Sequence, residues 1–306
     1  MTHVGRGARL EPVLLLFAAG ICIGSIFPLG KIAVAGGIPS LVYVGATAAG
    51  AGAVLAAIAR LAGHSLRPDR ATLSYAATAG LLTFAIPWTA VVTVMPHLGA
   101  GIPAIIQSLA PIATLAIVYV LALEKPNLPR LAGLGIGMVG TLVILFARNG
   151  GDAAHAPFYW YLAALITPLV LAAGNVYRTT HWPKGKNPLP LAAWTLVAAA
   201  LGIAVTLLLL IAMSAMPDVG AGFANGWHLI AIQCVATGVG YGLFFRLQQV
   251  GGPVYVSQMS YVNTAVGVGF GVLLFAESLS LWIWLALALI VIGVLLVNRV
   301  GDAARP

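Results

Sequence analysis

Few residues in this chain could do chemistry. Its seven acidic residues are Glu11, Asp69, Glu124, Asp152, Asp218, Glu277 and Asp302, and none falls in the middle of an apolar run. The six histidines (His3, His64, His97, His155, His181 and His228) all sit at loops or at the ends of such runs. An intramembrane enzyme, such as a lipid-modifying transferase, would need a paired carboxylate, a metal cluster or a Ser–His arrangement on adjoining helices. None is legible, so the chain is read as a non-enzyme that needs no cofactor and no metal. Cys22 and Cys234 each lie inside an apolar run and are expected to be small buried residues rather than a disulfide or metal pair. Gly135-Ile136-Gly137-Met138-Val139-Gly140 matches G-x-G-x-x-G, but no strand precedes it and no acidic partner follows about 20 residues later. Gly133 and Gly137 in that apolar run make a G-x-x-x-G helix-packing face instead.

Uncharged polar side chains offer recognition rather than reaction. Gln107 and Ser108 lie in one apolar run, and Gln258, Ser260, Tyr261 and Asn263 in another. Ser25, Thr83, Asn175, Gln233, Thr237 and Tyr241 lie in others. Such groups can meet an amino acid's ammonium and carboxylate without a fixed buried charge. The competing use is hydrogen bonding between helices, favoured for Ser and Thr, which can bond their own backbone. For Gln107, Asn175 and Gln258 both readings stand, because a whole buried amide needs several partners. Trp88, Tyr241 and Tyr261 could add aromatic walls for a bulky cargo. The candidate substrate-binding set is therefore Gln107, Trp88, Asn175, Gln258, Tyr241, Tyr261, Ser25 and Ser108. Trp160, Tyr159, Trp227, Trp282 and Trp284 stand at the ends of runs, as interfacial anchors do. Arg178 and Arg246 could attract a carboxylate, but near helix ends they are expected to snorkel toward headgroups.

The elements carrying these residues must be membrane spans. The chain of 306 residues is 61% hydrophobic and 7% charged. A soluble domain carries roughly 25% charged residues. At about 20 residues per span, the chain makes about ten. They are drawn at 13–34, 40–62, 71–94, 99–123, 128–147, 158–180, 189–213, 227–249, 254–276 and 279–298, separated by turn formers such as Gly36-Gly37-Ile38-Pro39 and Gly251-Gly252-Pro253. Pro28 should bend the first span. The loops leave no room for a soluble domain. With the N-terminus in the cytoplasm, all 15 Lys and Arg except Lys31 and Arg148 fall inside. This positive-inside bias puts both termini in the cytoplasm and explains the net charge of +8 without nucleic acid. The expected surroundings are membrane lipid in a bacterial-type inner membrane.

The chain also repeats itself. Residues 99–142 superimpose without a gap on residues 252–295 at an offset of 153, which aligns Gly99 with Gly252, Glu124 with Glu277 and Gly140 with Gly293. Two of only three Glu align, so the match reads as a duplication. Five spans per repeat, an odd number, invert the second repeat relative to the first. The expected fold is all-α integral membrane, with ten transmembrane helices as two inverted five-helix repeats, 1–150 and 151–306. Inverted repeats are the architecture of secondary transporters, with the substrate near the midplane between them. Glu124 and Glu277 are expected to serve as structural helix ends on opposite faces.

With its five-plus-five spans and a Glu-terminated helix in each half, the chain resembles the drug/metabolite transporter superfamily. The branch it is most similar to is the EamA-type exporters, including the aromatic amino acid exporters. That resemblance implies alternating-access export of amino acids, aromatic or otherwise hydrophobic, and related small metabolites. Export of drugs or other metabolites is the alternative.

Overall fold

A computed structural model describes residues 6–123, 128–146, 156–213, 220–277 and 279–303. Short turns join helices through these residues, with no strand among them. The first apolar stretch is α1 (Arg6–Gly24) and α2 (Ile26–Ala35), interrupted at Ser25. Pro28 has no N–H for the Gly24 carbonyl, so the helix opens one turn before its ring. The second stretch, α3 (Ser40–Leu61), is unbroken. In the third, α4 (Arg70–Gly80) passes through a π-helical turn, Leu81–Ala85, into α5 (Ile86–Leu98). Pro87 accounts for that turn, because it leaves the Thr83 carbonyl without its helical donor. In the fourth, α6 (Gly101–Gln107) and α7 (Ala110–Val120) part at Ser108-Leu109, where Pro111 orphans the Gln107 carbonyl.

The chain continues through α8 (Leu128–Phe146), α9 (Phe158–Thr180), α10 (Pro188–Ala212), α11 (Gly220–Phe275) and α12 (Leu281–Ala303). Laid out straight, the 56 residues of α11 would reach about 84 Å, nearly three times the hydrocarbon thickness. Its neighbours show that it doubles back. Gly222 lies against Gly37 and Gly240 against Cys22, so one arm follows the first stretch in one direction. Val262 lies against Gly20 and Gly267 against Phe27, while Phe275 sits beside Lys31, so the other arm returns. The arms match the apolar stretches Gly226–Val250 and Met259–Phe275, on either side of the Gly251-Gly252-Pro253 turn signal.

Seven helical stretches among the described residues are long and apolar enough to cross a membrane. Three shorter apolar helices, Leu131–Gly140, Met259–Phe275 and Leu281–Gly293, lie where the fifth, ninth and tenth spans are drawn. Their outer faces suit lipid. On α10, Leu201, Val205, Leu208 and Leu209 face outward, while Leu191, Thr195, Leu196 and Ala199 are buried. Water would not solvate such a stripe, and acyl chains would.

Helices α8 and α12 cross backbone to backbone. A Cβ on Gly293 would stand 2.6 Å from the Gly133 oxygen and 2.8 Å from the Gly137 nitrogen. A Cβ on Gly140 would stand 2.9 Å from the Ala286 oxygen and 3.2 Å from the Ile290 nitrogen. Residues 140, 133 and 137 become 293, 286 and 290 at the offset of 153 found in the sequence. The crossing is thus one contact made twice, with each helix in turn supplying the glycine. It uses the G-x-x-x-G face expected from the sequence, and Gly135 of the same run meets open space.

Candidate functional site

The three proline breaks converge on the middle of the bundle. Tyr241, on the first arm of α11, donates from its hydroxyl to the Thr83 carbonyl at 2.8 Å. This is the carbonyl that Pro87 left without a helical donor. The Trp88 indole N–H in turn donates to the Tyr241 oxygen at 3.4 Å. Trp88 and Tyr241 are 153 residues apart in the chain, so this contact joins the two halves of the sequence. Phe27 packs edge-on to Trp88, and Phe84 and Phe244 edge-on to Tyr241, at centroid separations of 5.4–6.0 Å. The result is an aromatic floor built from both halves of the sequence.

A narrow cavity of about 60 Å³ lies on this floor, lined by Thr83, Trp88, Gln107, Asn175, Tyr241 and Phe244, with Ser260 and Asn263 on the returning arm. Two buried acceptors there have no hydrogen-bond partner among the described residues, Gln107 Oε1 and Asn263 Oδ1. The cavity shares Asn175, Arg178 and Val256 with a larger one of about 470 Å³, lined also by Thr114, Leu123, Thr179, Trp182, Gln248 and Gln249. The larger volume lies within the range of small-molecule sites, about 300–1,000 Å³.

Four of the eight candidate residues meet at this cavity: Gln107, Trp88, Asn175 and Tyr241. Ser25 lies elsewhere, donating to the Cys22 carbonyl at 2.7 Å and to Gln233 Oε1 at 3.3 Å. Gln233 also accepts from Tyr43 at 3.3 Å and donates to Thr237 at 2.8 Å, so this group ties helices together. Ser108 is fully buried and donates to the Ile105 carbonyl at 2.6 Å, sealing the break between α6 and α7. Tyr261 packs against a separate apolar cluster. The Gln258 side chain lies outside the described residues. Ser260 and Asn263, named above only among the polar residues of their span, do line the cavity.

Arg178 departs from expectation. Only 1% of it is exposed, so it does not snorkel. Its guanidinium lies over the Phe244 ring at 4.2 Å, and Nη2 donates to Gln248 Oε1 at 2.7 Å. Nothing about its place two residues from the end of α9 set it apart from Arg246 in the sequence. The difference lies in the aromatic pair Phe244-Phe245, which covers it in three dimensions. Arg246 stays exposed and pairs with Glu11 at 3.0 Å.

The two ends of the bundle differ. At one, Glu277 accepts from the Ala100 and Gly101 amides at 2.6 and 2.9 Å and from Lys31 Nζ at 2.6 Å. Its carboxylate thus caps the start of α6 and pins it to α2 and α11. Glu277 thus holds the start of another helix as well as closing its own, with Lys31 as an added partner. Glu124 lies outside the described residues. Gly99, at φ +72, makes this approach possible, since a Cβ there would stand 2.6 Å from the Glu277 carboxylate. The other end carries the larger cavity and most of the described basic side chains. There Asp69 accepts from Lys186 at 2.7 Å and from the Thr72 amide at 2.9 Å. Lys186 foremost, then Thr72, holds the Asp69 carboxyl well below its ordinary range.

Comparison with known proteins gives the arrangement a family. The model of the EamA-like transporter family matches twice, over residues 10–146 and 158–299. Uncharacterized inner membrane transporter YedA of Escherichia coli strain K12 is 30% identical over 299 residues, covering 96% of this chain and 92% of YedA. YedA of strains O6:H1 and O157:H7 matches to the same extent. A crystal structure at 19% identity superimposes with a TM-score of 0.64, covering 96% of this chain and 99% of that one, and supports the fold. Nearly the whole length is accounted for in this way, and the chain belongs to the EamA-like transporter family.

Proposed function

We propose that the protein is a secondary transporter that exports amino acids, aromatic or otherwise hydrophobic, and related small metabolites. It works by alternating access between two inverted five-helix halves, 1–150 and 151–306, which rock about the Trp88–Tyr241 contact. Ten apolar stretches, the double family match and the reciprocal α8–α12 contact support the inverted halves. Interrupted helices around a mid-depth site are the usual device of such carriers. The observation that carries the cargo class is the cavity on the aromatic floor, where Gln107 Oε1 and Asn263 Oδ1 stand unpaired. An ammonium group would supply donors to both oxygens, while the Trp88, Tyr241 and Phe244 rings receive an apolar side chain.

Sidedness follows from the positive-inside bias, which puts both termini and the larger cavity in the cytoplasm. The conformation is then open inward and closed outward by the Lys31–Glu277 pair. Counterflow of labelled phenylalanine, leucine and methionine into proteoliposomes tests the proposal. Saturable uptake, lowered at least tenfold by Gln107→Ala, is the expected result. No saturable uptake of any hydrophobic amino acid would refute the cargo class.

A further inference from the structure

Arg178 carries a charge that nothing in the described chain answers. Each acid whose side chain is described pairs elsewhere: Glu11 with Arg246, Asp69 with Lys186 and Glu277 with Lys31. Arginine does not shed its proton in proteins, so this buried guanidinium stays cationic. Its Nε and Nη1 are buried and have no hydrogen-bond partner among the described residues. Between them they hold three N–H bonds, one on Nε and two on Nη1. A buried charge left without partners is strongly destabilising. Phe244 and Gln248 fix the guanidinium in orientation, one on its face and the other at Nη2, but neither neutralises it.

The group stands where the two cavities meet, with Asn175 one turn earlier on α9 lining both. We infer that Arg178 is the binding residue for the carboxylate of the cargo, and that the protein selects apolar carboxylates over neutral analogues of the same shape. The inference rests on the cavity being the transport site. A single carboxylate matches one fixed positive charge, and the described lining of either cavity holds no second cation to favour a dianionic phosphate. The apolar body of such a ligand would lie toward Phe244, Tyr241 and Trp88. Binding would then couple the α9 end to the first arm of α11, on which Phe244 and Gln248 sit.

The test compares phenylacetate with phenylacetamide on full-length protein in nanodiscs of neutral phosphatidylcholine. Binding is read by quenching of tryptophan fluorescence, and phenylalanine counterflow is measured in parallel. Phenylacetate should bind at least tenfold more tightly than the amide, and Arg178→Met should abolish that preference. Arg178→Lys should retain part of it. Removal of an unanswered buried charge should also raise the melting temperature of ligand-free Arg178→Met, whereas loss of a merely structural arginine would lower it. Equal binding of acid and amide by wild type, or a preference that survives in Arg178→Met, would overturn the inference. So would a carboxylate preference that is absent in neutral discs while phosphatidylglycerol alone stabilises the protein through Arg178, since the counter-ion would then be lipid. If phenylacetate binds through Arg178 but phenylalanine is not carried, the amino acid reading fails and the carboxylate site stands.

Discussion

Glu277 and Lys31 form one ion pair, yet their removal should not cost the same. The Glu277 carboxylate accepts three short bonds, at 2.6, 2.6 and 2.9 Å, and its side chain is 8% exposed. Glu277→Gln removes the charge from all three and leaves one oxygen for three donors. The exchanged amide nitrogen then faces an N–H of α6, and Lys31, 21% exposed, keeps its charge without an answer. Charge-assisted hydrogen bonds contribute about 1.5–3 kcal/mol each, and breaking one side of a buried pair costs about 3–5 kcal/mol. Lys31 retains the Phe275 ring at 4.5 Å and some water, so a total of about 3 kcal/mol is expected. Lys31→Met leaves Glu277 held by two backbone amides and should cost only about 1 kcal/mol. The double variant should fall short of the sum by about 1 kcal/mol, as contacting residues do. Reversible unfolding in mixed micelles of rising SDS fraction would measure all three. The reasoning is refuted if Lys31→Met costs as much as Glu277→Gln, or if Glu277→Gln lies within about 0.5 kcal/mol of wild type.

Four further outcomes follow from other contacts. Gly293→Ala should destabilise by at least about 2 kcal/mol in the same unfolding assay, because its Cβ meets the backbone of Gly133 and Gly137; Gly135→Ala, facing open space, should be neutral or gain up to about 1 kcal/mol. Tyr241→Phe should cost about 1–3 kcal/mol and slow counterflow, since it strands both the Thr83 carbonyl and the Trp88 indole N–H. Ala276→Gly should raise stability by up to about 1 kcal/mol, read from the unfolding midpoint, because Ala276 holds φ +50. The Asp69 carboxyl is held below its unfolded value of 3.8, so its contribution is complete above that pH and is lost as pH falls toward the folded value. Wild type and Asp69→Asn should therefore differ in melting temperature at neutral pH and converge in acid.

The membrane character and the helical build were legible in the sequence, because each rests on a local or periodic property of the chain. The G-x-x-x-G face of Gly133 and Gly137 could be named in advance for that reason, but not the helix that meets it. The prolines were equally visible, but which neighbour would answer each orphaned carbonyl was not. That Tyr241 meets Thr83 depends on two helices 158 residues apart lying side by side. The polar residues divided along the same line. Ser25 and Ser108 bond their own backbone, as short hydroxyls do, whereas Gln107 and Asn175 reach the cavity. Arg178 went astray because its burial depends on Phe244 and Phe245, and no one-dimensional rule links those rings to a helix end far upstream.

The backbone-to-backbone crossing of α8 and α12 has a consequence for how the protein is made. The glycine face of α8 meets its backbone partner only when α12 is synthesised, about 150 residues later in a chain that grows at roughly 5–20 residues per second. For about 8–30 s the nascent first half waits in the bilayer with its backbone-to-backbone packing surface incomplete. An insertase that shelters helices, or a neighbouring nascent chain, has that long to occupy it. Because the contact is reciprocal, two first halves present the same geometry to one another. The order in which ribosomes deliver the halves thus bears on whether the crossing closes within one molecule or between two.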